Sequence, residues 1–304
     1  MSLHGVALVD KPIGMSSFAV VSRMRRAFRD LGISKAGHTG TLDPLASGLL
    51  PICLGEATKF AQRLLDADKG YQATIQFGSA TTTGDAEGEV TARSECAVSA
   101  SMVAAALRRF LGRTLQRPPA FSALKIAGRP AYQYARDGVA IELPLREIEI
   151  HELQLRAFDV EHQRAEIEVA CSKGTYIRSL AVDIAAAVDA VGHLCALRRT
   201  RTAGFRVEDA HPLDMWTSAN EEQRGSWLLP TDSLLSDLPA VVLDGVRASD
   251  LRNGKVVALP ADHAGDATEL VRAYDAREVS AAFVGLARMI SRTELRAERL
   301  LSTA

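Results

Sequence analysis

The 304-residue chain is poor in several things that would have declared a function at once. It has only four cysteines, Cys53, Cys96, Cys171 and Cys195, far apart and without a CxxC pair. That spacing speaks against a clustered zinc site and against a disulfide-stapled scaffold, and it fits unpaired thiols in a reducing cytoplasm. No apolar run approaches the ~20 residues of a membrane-spanning helix, and the N-terminal MSLHGVALVDKPIGMSS lacks the basic-then-apolar pattern of a secretory leader. Aromatic residues make up 5% of the chain, and the net charge is -1. A protein holding nucleic acid by charge alone would be far more basic, so any RNA must be met by local patches and by shape. The charge is unevenly spread: residues 1–210 carry 26 Lys and Arg against 23 Asp and Glu, residues 211–304 carry 10 against 14. Neither the phosphate-loop spacing nor a dinucleotide fingerprint occurs, and there is no internal repeat.

What is present is a well-punctuated α/β pattern. GVALV (5–9) reads as a buried strand, and DKPIGMSS as a turn whose Ser16–Ser17 pair caps a helix starting near Phe18. Phe18, Val21, Met24 and Phe28 recur at helical spacing, predicting a buried face opposite Arg23, Arg26 and Arg29. LASGLLPICLG reads as a buried strand or turn, Ala57–Asp66 as a short helix, Tyr71–Phe77 as an alternating strand, and 99–111 as an amphipathic helix opened by Ser99. The Pro-, Tyr- and Arg-rich stretch 117–147 reads as an ordered excursion with a short helix, followed by strands at 148–158 and 165–171. A helix over Thr175–Ala190 and a strand in HLCALRRTRTAGF complete this body. From Leu238 onward short strands and turns predict a small β-rich unit.

The chemistry concentrates in Gly37-His38-Thr39-Gly40-Thr41-Leu42-Asp43-Pro44-Leu45-Ala46-Ser47-Gly48. Glycines and threonines around a histidine make a tight loop with open backbone N–H groups and hydroxyls suited to phosphate or sugar oxygens. Pro44 fixes its own φ and biases Asp43 toward extended backbone, which would hold the carboxylate in place. On chemistry alone an Asp before Pro in such a loop is more often a turn residue than a nucleophile.

The segment GHTGTLDPLASGLLP, together with DKPIGMSS before it, resembles the bacterial tRNA pseudouridine-55 synthase (TruB) family. Further matches follow in order: Lys69-Gly70-Tyr71, Gly84-Asp85-Ala86-Glu87-Gly88, PPAFSALK at 118–125, CSKGTYIRSL at 171–180 and LCALRRT at 194–200. The resemblance spans about residues 5–235; a looser match, best over LDGVRASDLRNGKVVAL, likens 238–304 to the family's PUA-like RNA-binding module. It implies an α+β fold: a mixed, mainly antiparallel sheet flanked by helices over residues 1–237, with a mobile insertion or thumb at about 117–147, and the PUA-like unit after it. It implies an isomerase that converts one uridine of the tRNA T-loop to pseudouridine on a flipped-out nucleotide, without cofactor or metal.

Residue by residue, the resemblance makes Asp43 the nucleophile at the ribose and Arg178 its cationic partner. It lays Tyr71 against the target base, its phenol a proton acceptor at the sugar or base, and lines the base pocket with Tyr176 and Leu197. His38 would support the rearranged RNA loop, and Lys125 and Arg198 would meet RNA phosphates, ahead of Lys11, Arg23, Arg26, Lys59, Arg129, Arg199 and Arg201. The implied partner is the T-arm of tRNA, with no DNA, membrane or obligatory protein partner, for a cytoplasmic monomer. The rivals are an RNA-binding or RNA-folding protein without catalysis, an aspartyl phosphotransferase, for which no acidic cluster accompanies Asp43, and a related enzyme acting on another RNA. Intact motifs between 69 and 125 favour the stand-alone bacterial type over guide-RNA relatives.

Overall fold

A computed structural model describes residues 4–95, 97–122, 124–139, 141–260, 269–277 and 281–302. Its main sheet follows the order His211–Pro212, Gly5–Lys11, Ala46–Leu54, Gly192–Thr202, Lys69–Phe77, Arg164–Cys171, Arg146–Asp159, Gly112–Gln116. All neighbours on this path are antiparallel except two: Gly5–Lys11 with His211–Pro212, and Ala46–Leu54 with Gly192–Thr202. The architecture is the mixed, mainly antiparallel sheet that the resemblance implied. The parallel pairing, Leu197 opposite Ala46 through Arg199 opposite Gly48, lies mid-sheet and directly follows the Asp43 loop.

Alternation explains the layering. Along Lys69–Phe77, the side chains of Tyr71, Ala73, Ile75 and Phe77 enter the main core, where Ile167 and Val169 of the next strand join them. Helices Ser17–Ala27, Ala100–Leu107 and Ile177–Ala186 supply residues to that core through Val20 and Met24, Val103 and Leu107, and Leu180 and Ile184. The Ala46–Leu54 strand is apolar almost throughout because both its faces are covered: Leu50, Ile52 and Leu54 face one cluster, Leu49 and Cys53 another.

Helix starts obey the expected caps, with Ser16 and Ser99 accepting the backbone N–H of Ala19 and Met102. Three details differ from the sequence reading. Ala57–Asp66 is divided between a 3-10 turn at Gly55–Phe60 and a single α-turn at Gln62–Leu65. The long helix is shorter, Ile177–Ala186. Phe18, expected on the buried face, is 75% exposed, whereas Ser17 is buried. The face is set by what the helix rests on, and Ser17 occupies the inner position because its hydroxyl has a partner there.

Residues Ala240–Leu243, Leu270–Asp275, Ala282–Ser291, Glu294–Leu300 and Val257–Ala258 form a second, five-stranded sheet in that order. Helix Gly245–Arg252 packs into its core through Ala248 and Leu251. The last strand and this helix were not anticipated from sequence, since neither shows a clear apolar period. Phe283, Leu286 and Leu301 pack with Val6, Leu8 and Phe60, so this sheet rests on the back of the first. Cys53 and Cys171 are buried and Cys195 half-buried, all unpaired; Cys96 lies outside the described residues.

Gly48 is the tightest point of the central pairing. Its φ is +98°, and a Cβ there would sit 2.3 Å from the Arg199 carbonyl oxygen. Gly48→Ala should therefore lower stability by at least about 2 kcal/mol, read as a drop in the denaturant midpoint, because both backbone strain and overlap act at once.

Candidate active site

The Asp43 loop is held from two directions. The Ser17 hydroxyl donates to the Leu42 carbonyl at 2.9 Å and accepts the Leu42 N–H at 2.7 Å, satisfying both buried backbone groups of the residue before Asp43. The Gly14 N–H donates to the Pro44 carbonyl at 2.8 Å, and the Asp43 carbonyl accepts the Ala46 N–H at 3.0 Å. The DKPIGMSS turn thus clamps the loop on either side of the aspartate. On the floor, Arg199 is 1% exposed; its Nε donates to the Leu49 carbonyl at 2.7 Å and its Nη2 to the Gly40 carbonyl at 3.1 Å.

Asp43 opens into a cavity of about 790 Å³ also lined by Tyr71, Asp85, Tyr176, Arg178 and Leu197. The Asp43 side chain is 40% exposed and its Oδ2 lies 3.0 Å from Arg178 Nε. Arg178 itself is 6% exposed and the same Nε lies 3.4 Å from Asp85 Oδ2. Its Nη1 donates to the Thr83 carbonyl at 3.1 Å and its Nη2 to the Phe121 carbonyl at 2.8 Å. Four groups from three chain segments thus fix one guanidinium. Asp85 is buried and itself fixed: Oδ1 accepts the Thr83 hydroxyl at 2.5 Å and the Glu87 N–H at 3.0 Å. Two carboxylates about one cation leave the cluster net negative, and the buried Lys11 ammonium lies in the field of Asp43 and Glu87.

The pKa directions follow the same physics. Burial pushes Lys11 and Lys69 down to about 8; Asp43 and Glu87 pull Lys11 the other way, while Arg199 adds to the fall at Lys69. Burial raises Glu87, and the neighbouring Asp85 and Asp43 carboxylates add to it. The Tyr71 phenol is raised by burial, against the opposing pull and hydrogen bond of Arg199. Tyr176 is raised by burial as well. Its backbone is gripped by Gln116, whose amide donates to the Tyr176 carbonyl at 3.0 Å and accepts the Tyr176 N–H at 2.8 Å.

Five residues singled out from sequence therefore meet in one cavity: Asp43, Tyr71, Tyr176, Arg178 and Leu197. Three do not. His38 lies behind the loop, outside the cavity wall, where its Nδ1 accepts the Gly40 N–H at 3.3 Å. Burial and the Arg199 charge lower its pKa, which favours a neutral ring. Lys125 is exposed on the 117–147 excursion, outside the lining. Arg198 alternates to the other face from Leu197 and Arg199 and makes a bidentate pair with Asp10 at 3.0 and 2.7 Å. Two of the residues considered for phosphate contact, Lys11 and Arg199, are buried and spend their donors on backbone carbonyls. Asp85 and Phe121 lay inside matched motifs and Thr83 just before one, but no spacing rule linked them to Arg178; only the fold shows that link.

The family model described as the TruB family pseudouridylate synthase N-terminal domain matches residues 26–177, half of the chain. This chain belongs to that family. Among curated TruB relatives, the tRNA pseudouridine synthase B of Neisseria meningitidis serogroup B (strain MC58) is 45% identical over 304 residues, covering 100% of this chain and 96% of the relative. That of Burkholderia lata is 46% identical, covering 99% and 91%. Among solved structures, a chain of a Cbf5–Nop10–Gar1 complex superposes with a TM-score of 0.71 at 26% identity, covering 97% of this chain and 84% of that one. A chain of an H/ACA ribonucleoprotein bound to a substrate RNA, at 23% identity and a TM-score of 0.71, shares the fold. The matched N-terminal region holds Asp43, Tyr71, Asp85 and Tyr176 and stops one residue short of Arg178.

Two outcomes test this geometry. Asp85→Asn should leave RNA affinity within about twofold and lower kcat on the order of 100-fold, because Arg178 loses the buried carboxylate that helps to orient it toward Asp43; single-turnover rates beside a binding titration check it. The raised Tyr71 phenol should stay protonated between about pH 6 and 9, so wild type and Tyr71→Phe should show pH–rate profiles of the same shape. A step present only in wild type would show the phenol ionising in that range.

Proposed function

We propose that this protein is a tRNA pseudouridine synthase that isomerises uridine-55 of the T-loop to pseudouridine, with Asp43 as the nucleophile. The carrying observation is the Asp43–Arg178 pair at 3.0 Å in an aromatic-lined cavity of about 790 Å³, within a chain 45% identical over its length to a tRNA pseudouridine synthase B. That volume lies within the range of small-molecule sites and admits one extruded nucleoside. Extrusion costs a few kcal/mol, and stacking on Tyr71, about 1–3 kcal/mol per base, offsets part of it.

The ionised Asp43 acts at the ribose C1′ or opens the chemistry at that sugar. The N1–C1′ bond breaks, the uracil turns within the pocket, C5 bonds to C1′, the C5 proton leaves to solvent, and N1 takes up a proton in exchange. Bonds are exchanged within one nucleotide, so no electron donor or acceptor enters the balance. Arg178 pairs with the carboxylate and aims it; Tyr71, Tyr176 and Leu197 bound the space in which the ring turns. His38 shapes the loop from behind. Lys125 meets a phosphate from the excursion, and Arg198 does so by exchanging Asp10 for RNA.

Residues 1–237 are the catalytic unit in this reading. The 117–147 thumb closes over the RNA, and residues 238–304 act as a PUA-like module on the same tRNA. The protein works in the cytoplasm, as a monomer without an obligatory protein partner. An RNA-binding role alone would not require an aspartate so held by a buried arginine.

A T-arm RNA tritiated at uracil C5 provides the test. Wild type should release tritium, and Asp43→Asn should release none above background while still binding the RNA. Equal release by both proteins would remove Asp43 from the mechanism.

A further inference from the structure

Two large apolar side chains are exposed on the turn and helix start after the first strand: Ile13 is 70% exposed and borders a shallow depression with Ser47 and Arg198, and Phe18 is 75% exposed. They flank the turn that clamps the Asp43 loop through Gly14 and Pro44, and Ser16, between them, lines the cavity wall. Their exposure is not forced by a lack of alternatives. The same helix buries Ser17, Val20, Val21 and Met24, so its inner face is complete without Phe18.

Phe18 begins a stripe. At 3.6 residues per turn, Ser22 and Arg25 fall on its face of the helix, with Arg26 beside them, and Arg29 continues the line in the following 3-10 turn. Arg25 lies about 10 Å along the axis from Phe18. Arg25, Arg26 and Arg29 are exposed, and among the described residues none of them forms an ion pair. The helix Ser17–Ala27 contains no acidic residue. An arginine track without ion pairs that ends in a bare aromatic side chain, two residues from the cavity-lining Ser16, matches the chemistry of unpaired RNA: phosphates for the arginines, base faces for the aromatic ring.

We propose that Ile13, Phe18 and the Arg25–Arg26–Arg29 face dock the unpaired nucleotides next to the flipped one, Phe18 stacking on a base and the arginines holding the backbone. This rests on the RNA-modifying reading of the cavity. It adds a stacking platform and phosphate track outside the cavity that set how tightly the substrate loop is held, while leaving the chemistry to Asp43.

The test uses the full-length protein and a T-arm hairpin RNA, read both as Kd over a salt series and as kcat and KM for tritium release. Phe18→Ala should weaken binding and raise KM by about tenfold, the loss of one stacked base, with kcat unchanged. Phe18→Trp should restore affinity, and Phe18→Leu should not. The double variant Arg25→Ser/Arg29→Ser should flatten the slope of log Kd against log salt by roughly 0.7 per lost phosphate contact. Wild-type Kd, KM and salt slope in both variants would overturn the proposal, as would full affinity in Phe18→Leu. Loss of a concentration-dependent dimer in Phe18→Ala, seen by sedimentation with RNA affinity intact, would also overturn it and assign the patch to a second copy of the chain. Absence of tritium release by wild type itself would instead sink the enzymatic reading, whatever the variants do.

Discussion

One buried guanidinium organises this molecule's chemistry. Arg178 gives the same Nε to Asp43 and Asp85 and its two Nη groups to the carbonyls of Thr83 and Phe121. A cation that is 6% exposed would be costly without such a set of partners, so each partner is also a constraint on where the others may sit. The consequence is a carboxylate, Asp43, that is partly open to solvent yet fixed in direction. Because Phe121 belongs to the 117–147 excursion, the same arginine also ties that segment to the aspartate, and movement of the excursion would be felt there.

The sheet makes this convergence possible. Asp43 comes from the loop entering Ala46–Leu54, Tyr71 from Lys69–Phe77, Leu197 and Arg199 from Gly192–Thr202, and Arg178 from the first turn of Ile177–Ala186. The central parallel pairing, with Gly48 packed against the backbone of Arg199, brings the loop over the strand that carries Leu197. Beneath it, Arg199 holds the Gly40 and Leu49 carbonyls and the Tyr71 phenol, so the loop, its strand and the aromatic floor share one anchor. Two buried arginines therefore divide the work: Arg199 fixes the scaffold and Arg178 aims the Asp43 carboxylate.

Much of the site was legible before the fold was seen, because the ordered motifs name Asp43, Tyr71, Tyr176, Arg178 and Leu197, and all five line one cavity. The misplacements have a common cause. Arg198 and Arg199 are adjacent cations, yet strand alternation sends one to Asp10 on the far face and buries the other under the loop. Phe18 and Ser17 are likewise neighbours, and helix periodicity favoured the larger side chain for the core; the serine went inside because Leu42 offered its hydroxyl both a donor and an acceptor. A one-residue step reverses a side chain's surroundings, and composition carries no information about which phase wins.

The sequence by itself determined the periods, the caps, the fixed φ of Pro44 and the set of chemically competent residues, since these depend on local sterics and on side-chain identity. Tertiary structure alone decided which cations became structural and which stayed in water, and that Asp85 shares the guanidinium of Arg178. Those outcomes follow from burial and from pairing between segments far apart in sequence, 135 residues for Asp43 and Arg178 and 188 for Asp10 and Arg198. Electrostatic partners at that separation are chosen by the packed sheet, not by any local pattern.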